Sequence, residues 1–562
     1  MSSAEALTNI RSVLGDIYPA EHADNIFQDL KDLMDKYGEN ETIFEKRKKY
    51  DDQIVLNEDD AILITYADSI CRKGEKPLRT LHRFLRSYVK DAVSGVHILP
   101  YFPSSSDGGF SIMDYKEVDP ELGTWEDIRN IAKDYRLMSD LVMNHVSSQS
   151  GWFQGFLQGD ERYRDYFLSF DKRVDMPKVF RPRVHPLLTE FDTAMGKKYV
   201  WTTFSEDQID LNFHNPKVTL EILEVLLFFL SQGVEIIRLD AVGYVWKEPD
   251  SSCVNLPQAH EMVKLLRTVT EYVAPYAIML AEVNFPYKDN VSYVEARHEA
   301  NMAYHFSLPP LVIDSFTRKD TSYLQEETHR IRQDIVFFNF LASHDGIGLL
   351  SAKESLPSPY FDGLLGTTVE HGGLISYKAT QDGKQPYELN ITYYDAINDP
   401  SQLNQAIDVR RFIAANSSML VDKGVPGIYI HCLLGSRNYL EGVKETGMNR
   451  MINREKLSEE AVLKDLSDPE SLRYQVMNRF LHLLNVRKQI KAFHHSVERD
   501  VVVHSDKRLF VMARTHEDGS VYSVVNMGDD TVRLPAYEGR YDFLSKTEFN
   551  GNVEPYGVYF LK

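Results

Sequence analysis

The sequence predicts an α/β chain: a (β/α)8 TIM barrel with inserted loop domains and a C-terminal antiparallel β domain. Two observations carry this. From Ile62 onward, short apolar runs ending in polar or charged residues alternate with amphipathic helical stretches. Near residue 495 they give way to short alternating runs separated by turn residues. Buried strands alternating with helices make βαβ units and a parallel sheet. At least six such runs over some 300 residues favour a closed barrel with insertions over an open sheet.

Residues 1–55 read as a charged N-terminal helical extension ending in FEKRKKYDDQ, whose lysine run is a solvated face. Residues 56–490 read as the barrel. Its strand-like runs are AILITYAD (61–68), SGVHILPYFP (94–103), RLMSDLVMNH (136–145), VEIIRLDAV (234–242), AIMLAEVN (277–284) and IVFFNFLASHD (335–345). Helices such as VTLEILEVLLFFLSQG (218–233) and LPQAHEMVKLLRTVTEYV (256–273) lie between them. Residues 146–213, polar and aromatic with little periodicity, are an expected insertion domain, and 346–400 a second one. In 491–562, runs such as RLFVMART broken by EDG and GDD predict the antiparallel β domain.

Composition narrows the function. No stretch approaches the roughly 18 apolar residues that span a bilayer, and the N-terminus lacks the apolar run of a signal peptide, so the expected location is the cytoplasm. A net charge of −20 argues against nucleic-acid partners, which need clustered Lys and Arg. It also requires any anionic ligand to find a local positive pocket against an unfavourable field. Cys71, Cys253 and Cys432 are too few and too widely spaced for a disulfide framework or a metal site.

In a parallel barrel, chemistry gathers at the C-terminal strand ends. Asp68, His97, Asp140 with Asn144 and His145, Arg238 with Asp240, Glu282, and His344 with Asp345 all fall there. Arg238 and Asp240 are two residues apart and share one face of a strand. The expectation is that the guanidinium lowers the Asp240 pKa, as a group attacking in ionised form requires. Glu282 follows apolar AIMLA, where desolvation and a neighbouring carboxylate should raise its pKa. Two carboxyls pushed in opposite directions would be an acid and nucleophile pair. The alternative is a structural Arg238–Asp240 ion pair.

The strings DLVMNH (140–145), IIRLDAVGYVWKEPDSSC (236–253), LAEVN (280–284) and ASHDGIGL (342–349) resemble the four signature regions of glycoside hydrolase family 13. LITYAD (63–68), HILPYFPSSSDGGFSIMDY (97–115), FRPRVHPLLT (180–189), WTTFSEDQIDLN (201–212), FSLPPLV (306–312), GVPGIYI (424–430) and MNRMINR (448–454) resemble its sucrose-phosphorylase branch, subfamily 18. The length and helical extension look more like the glucosylglycerate phosphorylases of that branch than like the shorter sucrose phosphorylases.

The resemblance implies a retaining phosphorylase of small α-glucosides, with inorganic phosphate as co-substrate. Asp240 would be the nucleophile, Glu282 the general acid/base and Asp345 the transition-state stabiliser. Asp68, His97, Arg238, His344 and Arg454 would hold the glucosyl unit, and Phe204 would be an aromatic platform. Arg183 and Tyr387 would serve phosphate and acceptor, with Arg181, Arg183 and His185 as a local basic cluster. No cofactor is required, and no dense acidic cluster at metal spacing appears in 146–213, so no essential metal is expected. The chain would be a monomer or homodimer without membrane or nucleic-acid partners. Three alternatives stay open: a phosphorylase of another glucoside (sucrose, sucrose 6-phosphate or glucosylglycerol), a hydrolase or transglucosidase of the same fold, and a non-catalytic barrel.

Overall fold

The computed structural model describes residues 3–296, 298–380 and 383–562. Residues 1, 2, 297, 381 and 382 lie outside the described residues, the last two within the second expected insertion.

Eight parallel strands close into a barrel. They are β1 (Ile62–Thr65), β2 (Gly95–Ile98), β3 (Arg136–Val142), β4 (Val234–Asp240), β5 (Ile278–Ala281), β6 (Met302–Tyr304), β7 (Val336–Phe340) and β8 (Val425–Tyr429). Each pairs with its sequence neighbours, and β1 closes the ring on β8 with Ile62 opposite Gly427. Six of the strands are the six runs read from the sequence. The other two carry weak signals. β6 is three residues long, and β8 (VPGIY) contains the two residues least favoured in strands. Gly427 has a packing reason, since a Cβ there would sit 2.4 Å from the Phe338 ring.

The helix Pro216–Ser231 shows how the N-terminal helices belong to the core. It starts cleanly, with the Asn215 side chain accepting the Lys217 N–H and Pro216 in the first turn. It is apolar on most of its circumference because both sides are covered, by β3 and β4 inside and by the second N-terminal helix outside. Those helices are α1 (Ser3–Ile17), α2 (Ala20–Gly38) and α3 (Glu41–Tyr50). α1 packs on the helix Pro257–Val273, and α2 buries Ile26, Leu30 and Met34. Tyr18 donates to the Phe213 carbonyl at 2.8 Å. At the base of the barrel, Glu235 accepts from Lys46, from Tyr50 at 2.7 Å and from Arg136 at 3.2 Å.

The segment after β3 is more regular than its sequence suggests. It carries the helix Gly151–Leu157 and an antiparallel hairpin, Leu188–Thr193 with Gly196–Trp201. Its aromatic side chains pack inward as Phe153, Phe156 and Phe167. The segment after β7 forms the helix Ser358–Glu370 and a hairpin, Leu374–Thr380 with Gly383–Asn390, which pairs with Ile347–Gly348. A six-stranded antiparallel sheet built from Arg499–Val501 onward ends the chain. Among the described residues no helix is long and apolar enough to cross a membrane.

Candidate active site

A pocket opens at the C-terminal end of the barrel, lined by Asp107, Phe110, His145, Arg183, Phe204, Gln208, Asp240, Tyr244, Glu282, His344, Asp345, Tyr387, Glu388 and Arg450 among others. The ends of β3, β4, β5 and β7 and the two inserted segments meet here.

Asp240 is the last residue of β4, and Ala241 after it takes a left-handed backbone (φ 49°), a conformation costly for a residue with a Cβ. The Ala241 N–H donates to Glu282 Oε2 at 3.0 Å. Behind both carboxylates lies Arg238, 2% exposed. One terminal nitrogen donates to Asp240 and to Asp140 at 2.6 Å each, and another stands 3.9 Å from Glu282. Its Nε reaches the Tyr304 hydroxyl at 3.1 Å. The two carboxyls therefore share one wall and one counter-charge.

Burial holds the Glu282 carboxyl up at about 7, with Asp240 and Asp345 adding to the rise and Arg238 opposing it. Asp240 departs from the expectation. Burial raises its pKa, and Arg238 and His145 only partly offset that. The charge of Asp140, which shares the same Arg238 nitrogen, adds to the rise. Asp140, fully buried and accepting from His97 at 2.7 Å, is itself held down to about 2 by His97 and Arg238 against the effect of burial. The opposed partner of Glu282 is Asp345. Against the raising effect of desolvation, it is held far below the ordinary carboxylate range by Arg450, with His344, Arg238 and Arg454 contributing.

Arg450 makes the closest contact to Asp345, at 2.6 Å. The turn that carries it also positions the strand end: Asn453 donates to the Ser343 carbonyl at 2.6 Å and Arg454 Nε to that of His344 at 2.8 Å. The Arg454 terminal nitrogens, buried without hydrogen-bond partners, lie 3.8 Å from Asp107 and 3.9 Å from Asp345. His344 stacks on Phe110 at 4.8 Å, and burial lowers its pKa, so the ring is neutral. Phe204 packs edge-on to Tyr244 at 5.1 Å beside His145. The Arg183 guanidinium sits 5.7 Å over the Tyr387 ring, so these two expected residues meet although they lie far apart in the chain.

Of the five expected donor-site residues His344 alone lines the pocket; Arg238 and Arg454 are buried behind it, and Asp68 and His97 are displaced. Asp68 lies three residues past β1, where the chain has turned away, and pairs with Lys456 at 2.5 Å outside the pocket. His97 is wholly buried beneath the pocket on Asp140. Asp107 and His145 line the pocket instead. Asp107 sits in a tight turn with Gly108 and Gly109, where a Cβ on Gly108 would come within 2.7 Å of Arg454. Asp207 accepts from Ser105 and Ser106 at 2.5 Å each and fixes this loop to the inserted segment. The expected basic trio stays together, with Arg183 and His185 lining an outer cavity, but it does not all face the inner pocket. Arg181 turns to the His185 carbonyl, His185 contacts the Thr202 carbonyl at 2.9 Å, and only Arg183 reaches the pocket. Arg450 supplies the second guanidinium. Asp107 and Arg450 were visible in the DGGF and MNRMINR strings, but nothing in those strings alone points them inward.

A barrel with two carboxyls on adjacent strand ends, a third acid under arginine control and a wall of aromatic and neutral polar groups defines an enzyme acting on a sugar by carboxylate chemistry. The chain belongs to the alpha-amylase family, glycoside hydrolase family 13: residues 86–352 match its alpha amylase catalytic domain, and full-length relatives extend the match. A glucosylglycerate phosphorylase of Spirochaeta thermophila is 47% identical over 520 residues, 92% of this chain and 88% of that protein. One of Escherichia coli is 38% identical over 534 residues, covering 92% and 94%. The crystal structure of a sucrose 6F-phosphate phosphorylase from Thermoanaerobacter thermosaccharolyticum superposes with a TM-score of 0.75 at 29% identity, covering 84% of this chain and 95% of that one.

Proposed function

We propose that this protein is a retaining α-glucoside phosphorylase that interconverts 2-O-α-glucosyl-D-glycerate and phosphate with α-glucose 1-phosphate and glycerate. One observation carries the reading beyond the relatives' names. The wall that holds Glu282 and Asp240 continues directly into Arg183 and Arg450, so an anion can be held where it meets the anomeric carbon.

Asp240, aligned by Arg238, attacks the anomeric carbon as its carboxylate, while Glu282 gives its proton to the departing glycerate oxygen. A β-glucosyl ester on Asp240 results. Phosphate then enters the vacated face, Glu282 takes its proton back, and the ester bond breaks to give α-glucose 1-phosphate, with configuration retained. Asp345, ionised by Arg450, accepts hydrogen bonds from sugar hydroxyls that tighten as the ring flattens. Phosphate prevails over water because guanidinium donors match its geometry and charge. The same cations suit the glycerate carboxylate, which leaves before phosphate arrives. The reaction consumes inorganic phosphate and yields a sugar phosphate, which agrees with a cytoplasmic location.

The test is glucose 1-phosphate release from 2-O-α-glucosyl-D-glycerate with and without phosphate, the anomer being read by NMR. Phosphate-dependent α-glucose 1-phosphate is expected. Free glucose at the same rate in both conditions makes the protein a hydrolase. A second reading has an observation behind it. The pocket leads to an outer cavity of about 930 Å³, larger than glycerate needs, which would also take a sugar acceptor. Synthesis from glucose 1-phosphate with glycerate, fructose, fructose 6-phosphate and glycerol in parallel, followed by phosphate release, ranks the acceptors.

A further inference from the structure

We propose that Tyr304 is a positioning residue for the catalytic pair: its hydroxyl holds one edge of the Arg238 guanidinium, so that Arg238 pairs with Asp240 and stands off Glu282. The inference deepens the phosphorylase reading and rests on its assignment of Glu282 as the acid.

Tyr304 ends β6, the short strand without a periodic signal, just before the FSLPPLV string. It is buried, and its ring is fixed on several sides. Phe306 stacks on it at 5.3 Å, and Phe338 and Phe340 meet it edge-on at 5.2 Å each. Its carbonyl accepts from Asn290 Nδ2 at 2.7 Å. The hydroxyl is thereby delivered to one point inside the barrel, where it accepts the Arg238 Nε–H at 3.1 Å.

A guanidinium offers five N–H groups in a rigid plane. In Arg238 one terminal nitrogen serves Asp140 and Asp240 at 2.6 Å each, and Nε serves Tyr304. The other terminal nitrogen stands 3.9 Å from Glu282 Oε2, outside hydrogen-bond reach. With the aspartates on one edge and Tyr304 on another, the plane cannot swing. Without the hydroxyl, Nε would be a buried donor with no partner, an unfavourable state. The plane would then pivot about its aspartate contacts and bring its free nitrogen onto Glu282. Glu282 faces Arg238 and Asp240 from β4 and Asp345 from the turn after β7, with Tyr244 and Tyr387 beyond them. Arg238 is the opposite charge among these, so its distance decides how firmly Glu282 keeps its proton.

The test is Tyr304→Phe, which removes one oxygen from a site already ringed by phenylalanines. The kcat/KM for 2-O-α-glucosyl-D-glycerate, followed as glycerate release, is measured across pH. The base limb set by Glu282 should move down by about one pH unit. The rate near pH 8 should then fall about tenfold, with kcat carrying the loss and the glucoside KM little changed. α-Glucosyl fluoride, whose leaving group needs little protonation, should stay within about threefold of wild type. A residue with only a structural role would slow both donors alike and leave the limb in place. Either of those results, in a variant that melts like wild type, overturns the proposal. Should the variant be too slow for a pH profile, its Tm at pH 8 is compared with that of the double variant Tyr304→Phe, Glu282→Gln. The gain in Tm from Glu282→Gln should be smaller than in the wild-type background, and an equal gain is fatal to the proposal. Should Tyr304→Phe not fold, Tyr304→Met, which fills the space without a hydroxyl, takes its place with the same expectations. Failure of the phosphorylase reading is seen separately, as wild type giving no phosphate-dependent glucose 1-phosphate.

Discussion

Arg450 closes on Asp345 at 2.6 Å, and that contact is the largest influence holding the carboxylate ionised. Its consequence can be read in acid. Replacing Arg450 with Gln removes the largest influence lowering the Asp345 pKa, which then rises. Activity that needs Asp345 ionised is retained above its pKa and lost below it, so the acid limb of kcat/KM for the glucoside should move to higher pH. At the optimum, the lost charged contact should lower kcat/KM by about a hundredfold. An acid limb left where it was would mean that Asp345 is not the group that Arg450 serves.

Glu282 governs the other limb. With its carboxyl at about 7 it is protonated below that pH and ionised above, and the first step needs the proton. For the glucoside, kcat/KM should fall about tenfold per pH unit above 7. Glu282→Gln should lose roughly 10²–10⁴ in rate with the glucoside, the usual scale of general acid catalysis. It should lose far less with α-glucosyl fluoride, whose leaving group needs little protonation. Equal losses with both donors would remove Glu282 from the role of acid.

The same raised carboxyl has a stability signature. Its folded-state value of about 7 lies above the unfolded value of 4.5. Below pH 4.5 it is protonated in both states and has no effect that depends on pH. Between 4.5 and 7 the unfolded state gives up its proton while the folded state keeps it, so stability falls across that window and is level above it. The difference corresponds to about 3 kcal/mol at pH 8, at ~1.4 kcal/mol per unit. Glu282→Gln should therefore show a higher apparent Tm than wild type at pH 8, and the gap should close on approaching pH 4.5. A gap independent of pH would mean that the carboxyl is not raised.

How much of this was legible in sequence follows from the range of the forces involved. Asp240, Glu282 and Asp345 end apolar runs, a local pattern that periodicity detects, and all three line the pocket. β6 and β8 escaped because three residues, or a Pro and a Gly, leave no periodic trace, although the ring needs both. The direction of the Asp240 shift departs from expectation because a neighbour two residues away is visible in sequence, whereas burial in the pocket and the charge of Asp140 on β3 are not. Arg450 and Glu388 sit on turns and hairpins whose direction is set by tertiary packing. Nothing local distinguishes them from surface residues.

The clearest test of that distinction sets Asp107 against Asp68. Both follow a barrel strand and both lie in strings that carry the family resemblance, but their surroundings differ. Asp107 lines the pocket in a glycine-rich turn pinned by Asp207, with Arg454 at 3.8 Å and its terminal nitrogens otherwise unpartnered. Asp68 pairs with Lys456, whose side chain is 65% exposed, outside the pocket. Exposed pairs of this kind contribute at most about 1 kcal/mol. A carboxylate in the pocket that accepts from sugar hydroxyls contributes roughly 1.5–3 kcal/mol per hydrogen bond. Asp107→Asn should therefore lower kcat/KM for the glucoside by about a hundredfold or more, and Asp68→Asn should leave it within about threefold, both measured with the same donor at saturating phosphate. The reverse order would restore Asp68 to the sugar site and show that the strand-end reading had been right where the geometry sets it aside.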